Sequence, residues 1–168
     1  MSIPSEEDQR RNWRLSWLSY IQAFCDTDVQ QSRWLDPQER NPHYSFVECM
    51  CCYFDDALAG DDNAYQQRVE RSHLNRDEAS AVKEFHDLAD AYNSPTNDDY
   101  DVKAILADPF WQAVVNAAQE ARRRLLILLT EPDERRAIME PLQWEDRGKG
   151  WSTSFLRPSK TDDKNGAG

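Results

Sequence analysis

The chain has 168 residues, a formal net charge of −11 and a sequence pI near 4.7. An acidic protein of this kind repels the phosphates of nucleic acids and anionic lipid surfaces, so neither is expected as a partner. The length is that of one domain with an ordinary hydrophobic core. Only five glycines are present, beside six residues each of Trp, Tyr and Phe. This composition argues against a turn-rich sandwich or barrel and favours helices.

The N-terminal sequence MSIPSEEDQRR contains no apolar signal region, and the longest aliphatic run, LLILL, covers only residues 125–129. Secretion and membrane spanning are therefore not expected. Three of the four cysteines lie within residues 49–52, too close together to join distant segments by disulfides. We expect a cytoplasmic protein with reduced thiols.

Apolar residues at helical spacing predict a first helix over residues 6–26, with Ser5 as its N-cap and Asp8 three positions later. Three arginines are predicted to lie on its outer surface: Arg10, Arg11 and Arg14. Two prolines then interrupt the chain, so a loop with one short turn at 29–35 is expected to follow.

Ser45 and Glu48 predict the start of a second helix, which ends at Gly60 and carries three cysteines. Helical spacing gathers apolar side chains on one face that we expect to be buried: Phe46, Met50, Tyr53 and Phe54. Asp55 and Asp56 fall outside this face and are expected to be at least partly exposed.

The rest of the chain predicts a weak helix near 65–69, a helix capped by Asn75, and a short helix capped by Asp98 or Asp99. The longest apolar helix is expected over 109–130, with one more short helix after it. We therefore predict an all-α fold, a single compact bundle of about six helices around this long central helix. Residues 1–144 form the domain and 145–168 a C-terminal extension, whose last ten residues are expected to be mobile.

Recognised catalytic patterns are absent from the sequence, which has no nucleophile elbow, zinc-protease motif, phosphate loop or dinucleotide fingerprint. We therefore expect no enzymatic activity and no cofactor. Cys49 and Cys52 have the C-x-x-C spacing of half a zinc site, and His43 or Cys25 is a conceivable third ligand. A cysteine-ligated metalloprotein is accordingly the alternative hypothesis, and an enzyme without a recognisable motif is another.

Aspartates are concentrated in two segments, and the second of them contains an aromatic residue. Their members are Asp55, Asp56, Asp61 and Asp62 in the first segment, and Asp98, Asp99, Tyr100 and Asp101 in the second. Each carboxylate has a structural explanation as a helix cap or turn residue, but the number exceeds what capping requires. We interpret these eight residues as candidate contacts for a basic partner.

Three stretches carry a resemblance to a known class of protein: RWLDPQERNPHYSFVECMCCYFDDALAG, LNRDEASAVKEFHDLADAY and ILADPFWQAVVNAAQEARRRLLILL. Over residues 10–140 the chain resembles small helical bacterial immunity proteins of polymorphic or contact-dependent toxin systems. The resemblance implies a stoichiometric inhibitor that binds a cognate toxin. The acidic composition is compatible with a basic nuclease as that toxin, because carboxylates can occupy positions that otherwise hold phosphates.

Overall fold

A computed structural model describes residues 2–144, which contain eight helices and no strand. The helices are α1 (Glu6–Cys25), α2 (Thr27–Val29), α3 (Phe46–Cys51), α4 (Ala64–Glu70), α5 (Arg76–Ala91), α6 (Val102–Ala107), α7 (Pro109–Leu128) and α8 (Pro132–Met139). Two of them continue as π-helical segments, α2 into Gln30–Trp34 and α3 into Cys52–Ala57. The predicted all-α fold is confirmed, and short helices such as α2 account for the larger number of elements.

Most predicted helix starts are confirmed by their capping bonds. The Ser5 hydroxyl accepts the Asp8 N–H at 3.1 Å, and the Asn75 side chain accepts the Glu78 N–H at 2.8 Å. In each case the carboxylate of the third helical residue accepts the backbone N–H of the N-cap residue, which completes a capping box. Asp108, followed by proline, caps α7 as its sequence predicts.

The start of α6 differs from the prediction, because Asp101 is its N-cap and neither Asp98 nor Asp99 is. The Asp101 carboxylate accepts the Ala104 N–H at 3.2 Å, the usual bond of an N-cap aspartate. Asp98 and Asp99 make other bonds within the preceding turn. Several aspartates in a row cannot be told apart by sequence spacing alone, since each can cap a helix or stabilise a turn.

Helix α7 lies at the centre of the fold and packs against α1, α5 and α6. Its Trp111 is fully buried among four aromatic rings that come from separate parts of the chain: Phe24, Trp34, Phe46 and Tyr92. The closest of these rings have centroids 5.2 Å from that of Trp111, in the range of favourable aromatic pairs. The predicted central helix is therefore confirmed.

The predicted surface position of Arg14 is wrong, because its side chain is buried with only 5% of the residue exposed. Arg14 lies one turn before the buried Trp17 and Leu18, on the apolar face of α1. Its guanidinium is held by Glu78 at 2.7 Å and by Glu134 at 2.5 Å. This ion-paired cluster joins α1, α5 and α8, and a sequence pattern cannot reveal it because its partners are distant in the chain.

The face of α3 that was predicted to be buried is largely confirmed. Phe46 and Tyr53 are buried, Met50 and Phe54 are half-buried, and the two following aspartates are exposed. Cys52 was placed outside this face but is buried. The reason is that this side of α3 also faces the fold, since Cys52 and the buried Cys49 line a small cavity together with Tyr20 and Trp144.

No helix within residues 2–144 is long and apolar enough to cross a membrane. The end of this part folds back on the domain, where the Trp144 ring stacks on His43 with centroids 4.3 Å apart. The C-terminal extension 145–168, including the last ten residues that were predicted to be mobile, lies outside the described residues.

Candidate binding groove

The first acidic segment lies at the end of the π-helical part of α3 and in the turn after it. Asp55 and Asp56 are exposed on the last helical turn. Gly60 ends the helix in the left-handed conformation, with φ +63°, and its N–H donates to the Phe54 carbonyl at 2.9 Å. Asp61 and Asp62 follow directly and are exposed, so all four aspartates are accessible to a partner.

The second acidic segment lies between α5 and α6, in a turn stabilised by its own aspartates. The Asp98 carboxylate accepts the Tyr100 N–H at 2.9 Å, and Asp99 accepts the Ser94 hydroxyl at the same distance. These bonds hold the backbone so that Tyr100 projects outward with 77% of its surface exposed. An exposed tyrosine among carboxylates is suited to contact with a cationic side chain.

A groove of about 270 Å³ separates α3 from this second segment. Its lining residues are Phe46, Val47, Met50, Cys51, Tyr92, Asn93, Ser94, Asn97 and Asp99. Asp99 forms part of one wall. Cys51 forms part of the opposite wall, where burial and the nearby Asp55 carboxylate raise the pKa of its thiol. The structure therefore places one aspartate of the second segment, Asp99, in the lining of the groove, and Asp55 of the first segment lies beside the lining residue Cys51.

None of the four aspartates of the first segment is itself a lining residue of this groove. Asp56 lies on the side of α3 that carries Glu48 and Cys52, where burial and the Glu48 charge raise the pKa of the Asp56 carboxyl. The Asp61 carboxylate accepts the Asn63 N–H at 2.8 Å and also a hydrogen bond from the Gln67 side chain of α4. Asp61 thus has a structural role of the kind expected for turn aspartates.

The apolar floor of the groove could not be assigned to a site from the sequence. Phe46, Met50 and Tyr92 read as core positions, and only Phe46 is fully buried. Asn97 has φ +55°, a left-handed conformation that asparagine adopts more readily than most residues. The turn-forming composition around Pro95 was the only sequence signal that this segment reverses direction beside α3.

A second, smaller cavity of about 30 Å³ lies on the other side of α3, beneath Trp144. There His43 Nδ1 is 2.8 Å from the Glu48 carboxylate, which also accepts the Cys52 thiol at 3.6 Å. The Trp144 backbone is held at this position by the Asn41 amide, which donates to the Trp144 carbonyl at 3.3 Å. The cavity has room for about one water molecule, so it does not accommodate an organic substrate.

The four cysteines of the chain are poor nucleophiles. Burial raises the pKa of the Cys25 thiol to about 12, and burial together with nearby carboxylates raises the pKa of Cys49 and Cys52 further. Burial and Asp55 also raise the pKa of the half-buried Cys51. All four are free thiols, and a thiol in such surroundings carries little thiolate at neutral pH.

A metal site was the alternative hypothesis for Cys49 and Cys52. Within residues 2–144, no group of three or more His, Cys, Asp and Glu side chains is placed to hold a metal ion. The two suggested third ligands lie elsewhere in the local network: His43 pairs with Glu48, and the Cys25 thiol donates to the Ile21 carbonyl at 3.4 Å.

Comparison with known proteins places the chain in a family. No curated protein and no solved structure matches the chain. Residues 9–134 match a family model described as a domain of unknown function, DUF7945. This match includes both acidic segments and every residue that lines the groove, whereas Trp144 lies beyond it. Because the match covers most of its length, the chain belongs to the DUF7945 family.

Proposed function

We propose that this protein is a stoichiometric binding protein, and specifically an immunity protein that neutralises a cognate bacterial toxin in the cytoplasm. The supporting observation is the groove, whose lining includes Asp99 of the second acidic segment and Cys51, a neighbour of Asp55 in the first. In this proposal the protein covers the active or substrate site of the toxin and performs no catalysis of its own.

The electrostatics of the two segments support a basic partner. Among residues 2–144, no ion pair involves Asp55, Asp56, Asp98 or Asp99, although ten other ion pairs are formed. The negative charge of both segments therefore remains available to an incoming molecule. Such a surface accelerates association with a positively charged protein and repels nucleic acid.

A basic nuclease fits this surface better than a membrane-active toxin does. A nuclease binds phosphates through a positively charged site, and exposed carboxylates can occupy that site in place of the substrate. The exposed ring of Tyr100 adds an aromatic contact of the kind that is enriched at the centre of protein interfaces.

The proposal is tested by isolating the partner and measuring its toxicity. Full-length protein is used as bait, bound material is eluted by increasing salt, and each eluted protein is produced alone and together with the bait. We expect one basic protein that binds at 1:1 stoichiometry, stops growth when produced alone and is harmless when co-produced. A partner that does not affect growth, or whose toxicity persists on co-production, would contradict the proposal.

Charge reversal tests the assigned surface. Asp55→Lys with Asp56→Lys, or Asp98→Lys with Asp99→Lys, should slow association with the toxin and make its rate less dependent on salt. The matched control is Glu70→Lys with Glu84→Lys, which changes the net charge equally at exposed positions outside the groove. Equal slowing by all three double variants would show that the association rate depends only on the net charge of the protein. The two acidic segments would then no longer be assigned to the interface.

A further inference from the structure

We propose that the groove between α3 and residues 93–99 binds an arginine side chain of the partner. This inference rests on the proposed binding function and specifies the chemistry that the partner must present at this site. It follows from three properties of the groove: its floor is apolar, its wall carries hydrogen-bond acceptors, and no basic side chain is among its lining residues.

The floor of the groove is suited to the aliphatic part of a long side chain. Met50 and Val47 are half-buried there, beside the buried Phe46 and the ring of Tyr92. Three methylene groups of an arginine can lie on such a surface and bury apolar area while the charged end remains near solvent. A short acidic or polar side chain would leave this floor in contact with water.

The wall opposite α3 is rich in hydrogen-bond acceptors. One Asp99 oxygen accepts the Ser94 hydroxyl at 2.9 Å, and the other accepts no hydrogen bond from the described residues. Asn93 and Asn97 add amide oxygens to the same wall, and the Asp55 carboxylate lies near Cys51 on the α3 side, outside the lining itself. No lysine, arginine or histidine is among the residues that line the groove.

Arginine satisfies this arrangement better than lysine does. Its planar guanidinium has five N–H donors and no acceptor, so it can bond to several oxygens at once. The plane can also stack on an aromatic ring such as that of Tyr92. A lysine ammonium is a compact, strongly hydrated charge and would use fewer of these groups.

The same protein contains an internal example of this recognition. Arg14 is held by the carboxylates of Glu78 and Glu134 and donates to the His73 carbonyl at 2.9 Å. Two carboxylates, a neutral oxygen and apolar neighbours thus accommodate one guanidinium inside the fold. The groove offers the same types of group at the surface without the guanidinium.

The direct test uses a blocked tripeptide, acetyl-Gly-Arg-Gly-amide, titrated into full-length isotopically labelled protein. Two matched peptides replace the arginine by lysine or by citrulline, its neutral isostere. We expect the arginine peptide to shift the amide resonances of residues 46–51 and 92–99, the lysine peptide to bind more weakly, and the citrulline peptide to leave these resonances unchanged. Equal binding by the citrulline peptide, or shifts confined to other residues, would overturn the inference.

Single neutralisations locate the contact. Asp99→Asn should weaken the arginine peptide about tenfold, since a charge-assisted hydrogen bond is lost while the bond from Ser94 can remain. Asp55→Asn should weaken it by a smaller factor, because Asp55 lies beside the lining residue Cys51 and not in the lining itself. Glu84→Gln removes one exposed charge outside the groove and should change the affinity less than twofold. If Glu84→Gln weakens binding of the arginine peptide as much as Asp99→Asn does, the affinity depends on overall charge and the inference fails.

The chain's own C-terminal residues are a competing occupant, because Arg147 and Arg157 are also arginines. The titration is therefore repeated with both replaced by glutamine. Equal binding in the two proteins supports a partner arginine. Binding that occurs only in the glutamine variant would assign the groove to the chain itself and overturn the proposal.

The outcomes separate this inference from the proposed function. If the toxin is neutralised equally well by the Asp99→Asn and wild-type proteins, the groove is not part of the interface, and the proposed immunity function is unaffected. Arginine-specific binding in the groove, with no toxic partner, would support the groove chemistry and remove the immunity function.

Discussion

The Arg14 cluster and the binding groove use carboxylates in opposite ways. In the cluster, Glu78 and Glu134 hold one buried guanidinium between three helices. At the groove, Asp99 in the lining and Asp55 beside Cys51 form no ion pair with any described residue. Carboxylates inside the fold have their partners within the chain, and carboxylates at the groove remain available for another molecule.

The energetic consequences of this difference are unequal. A buried ion pair is weak evidence of net stabilisation, but removing one of its members leaves an uncompensated charge in the interior. An exposed carboxylate without an ion-pair partner contributes little to folding, so its removal is almost neutral. The comparison therefore predicts that substitutions in the cluster act on stability, and substitutions in the groove act on binding.

The largest expected effect is that of Arg14→Leu. Loss of the guanidinium leaves Glu78 and Glu134 buried without a cation, and we expect the free energy of unfolding to fall by about 3–5 kcal/mol. Urea denaturation at neutral pH measures this change. Arg11→Leu is the matched control, because it removes a half-exposed arginine paired with Asp133 and should cost less than about 1 kcal/mol. Similar losses for the two variants would invalidate the distinction between buried and exposed pairs.

Acid should weaken the cluster in the wild-type protein. Burial alone would raise the pKa of Glu78, but its hydrogen bonds to Arg14 and the Asn75 N–H hold that pKa below its usual value. A lowered folded-state pKa stabilises the protein above the unfolded value of about 4.3, and this stabilisation is lost as pH falls through the folded value. Urea midpoints measured from pH 7 to pH 3 should therefore decrease below about pH 4.3.

Glu78→Gln provides the control for this titration. The glutamine keeps the shape of the side chain but does not titrate, so the variant should be less stable at pH 7 and lose less stability in acid. An unchanged difference between the two proteins across the pH range would show that Glu78 does not carry the acid sensitivity.

Much of the fold could be predicted from the sequence because its signals are local. Ser5 with Asp8 and Asn75 with Glu78 are separated by three residues, so the spacing of each capping box is visible in the sequence. The apolar stripe of α7 likewise repeats within one helix. Such features depend on neighbours in the chain, and their positions were correct.

The remaining features depend on residues that are distant in the chain. Arg14 meets partners 64 and 120 positions away, and the groove joins α3 to a turn more than 40 positions later. Composition and spacing pointed to the aspartates as candidate contacts, but they could not show which of these residues lie close together in the fold. The burial of Cys52 likewise depends on distant residues, because Cys52 lines a small cavity together with Tyr20 and Trp144.

Neutralising the groove should have a much smaller effect on stability than changing the cluster. Asp55→Asn and Asp99→Asn should each change the free energy of unfolding by no more than about 0.5 kcal/mol, as expected for exposed positions. Asparagine retains an oxygen that can accept the Ser94 hydroxyl. Urea denaturation of these two variants and of Arg14→Leu under the same conditions compares their free energies of unfolding directly. A loss of several kcal/mol would show that these aspartates belong to the fold rather than to a binding surface.

The smallest effect is expected at Cys51, whose half-buried thiol reports on the groove without changing stability. Burial and Asp55 raise the pKa of Cys51, so its alkylation by iodoacetamide near pH 8 should be slow. Intact mass should nevertheless show one modified cysteine in the native protein, because the other three thiols are buried. Asp55→Asn should accelerate this reaction by removing the nearby negative charge.

Cys51→Ser is the control and should abolish the early modification, whereas denatured wild-type protein should react at all four cysteines. A saturating arginine-bearing partner should then slow alkylation of the native protein, because Cys51 lines the groove that the partner fills. Early modification of Cys49 or Cys52 would mean that the cavity beneath Trp144 opens more readily than the groove. The assignment of the accessible surface would then move from one side of α3 to the other.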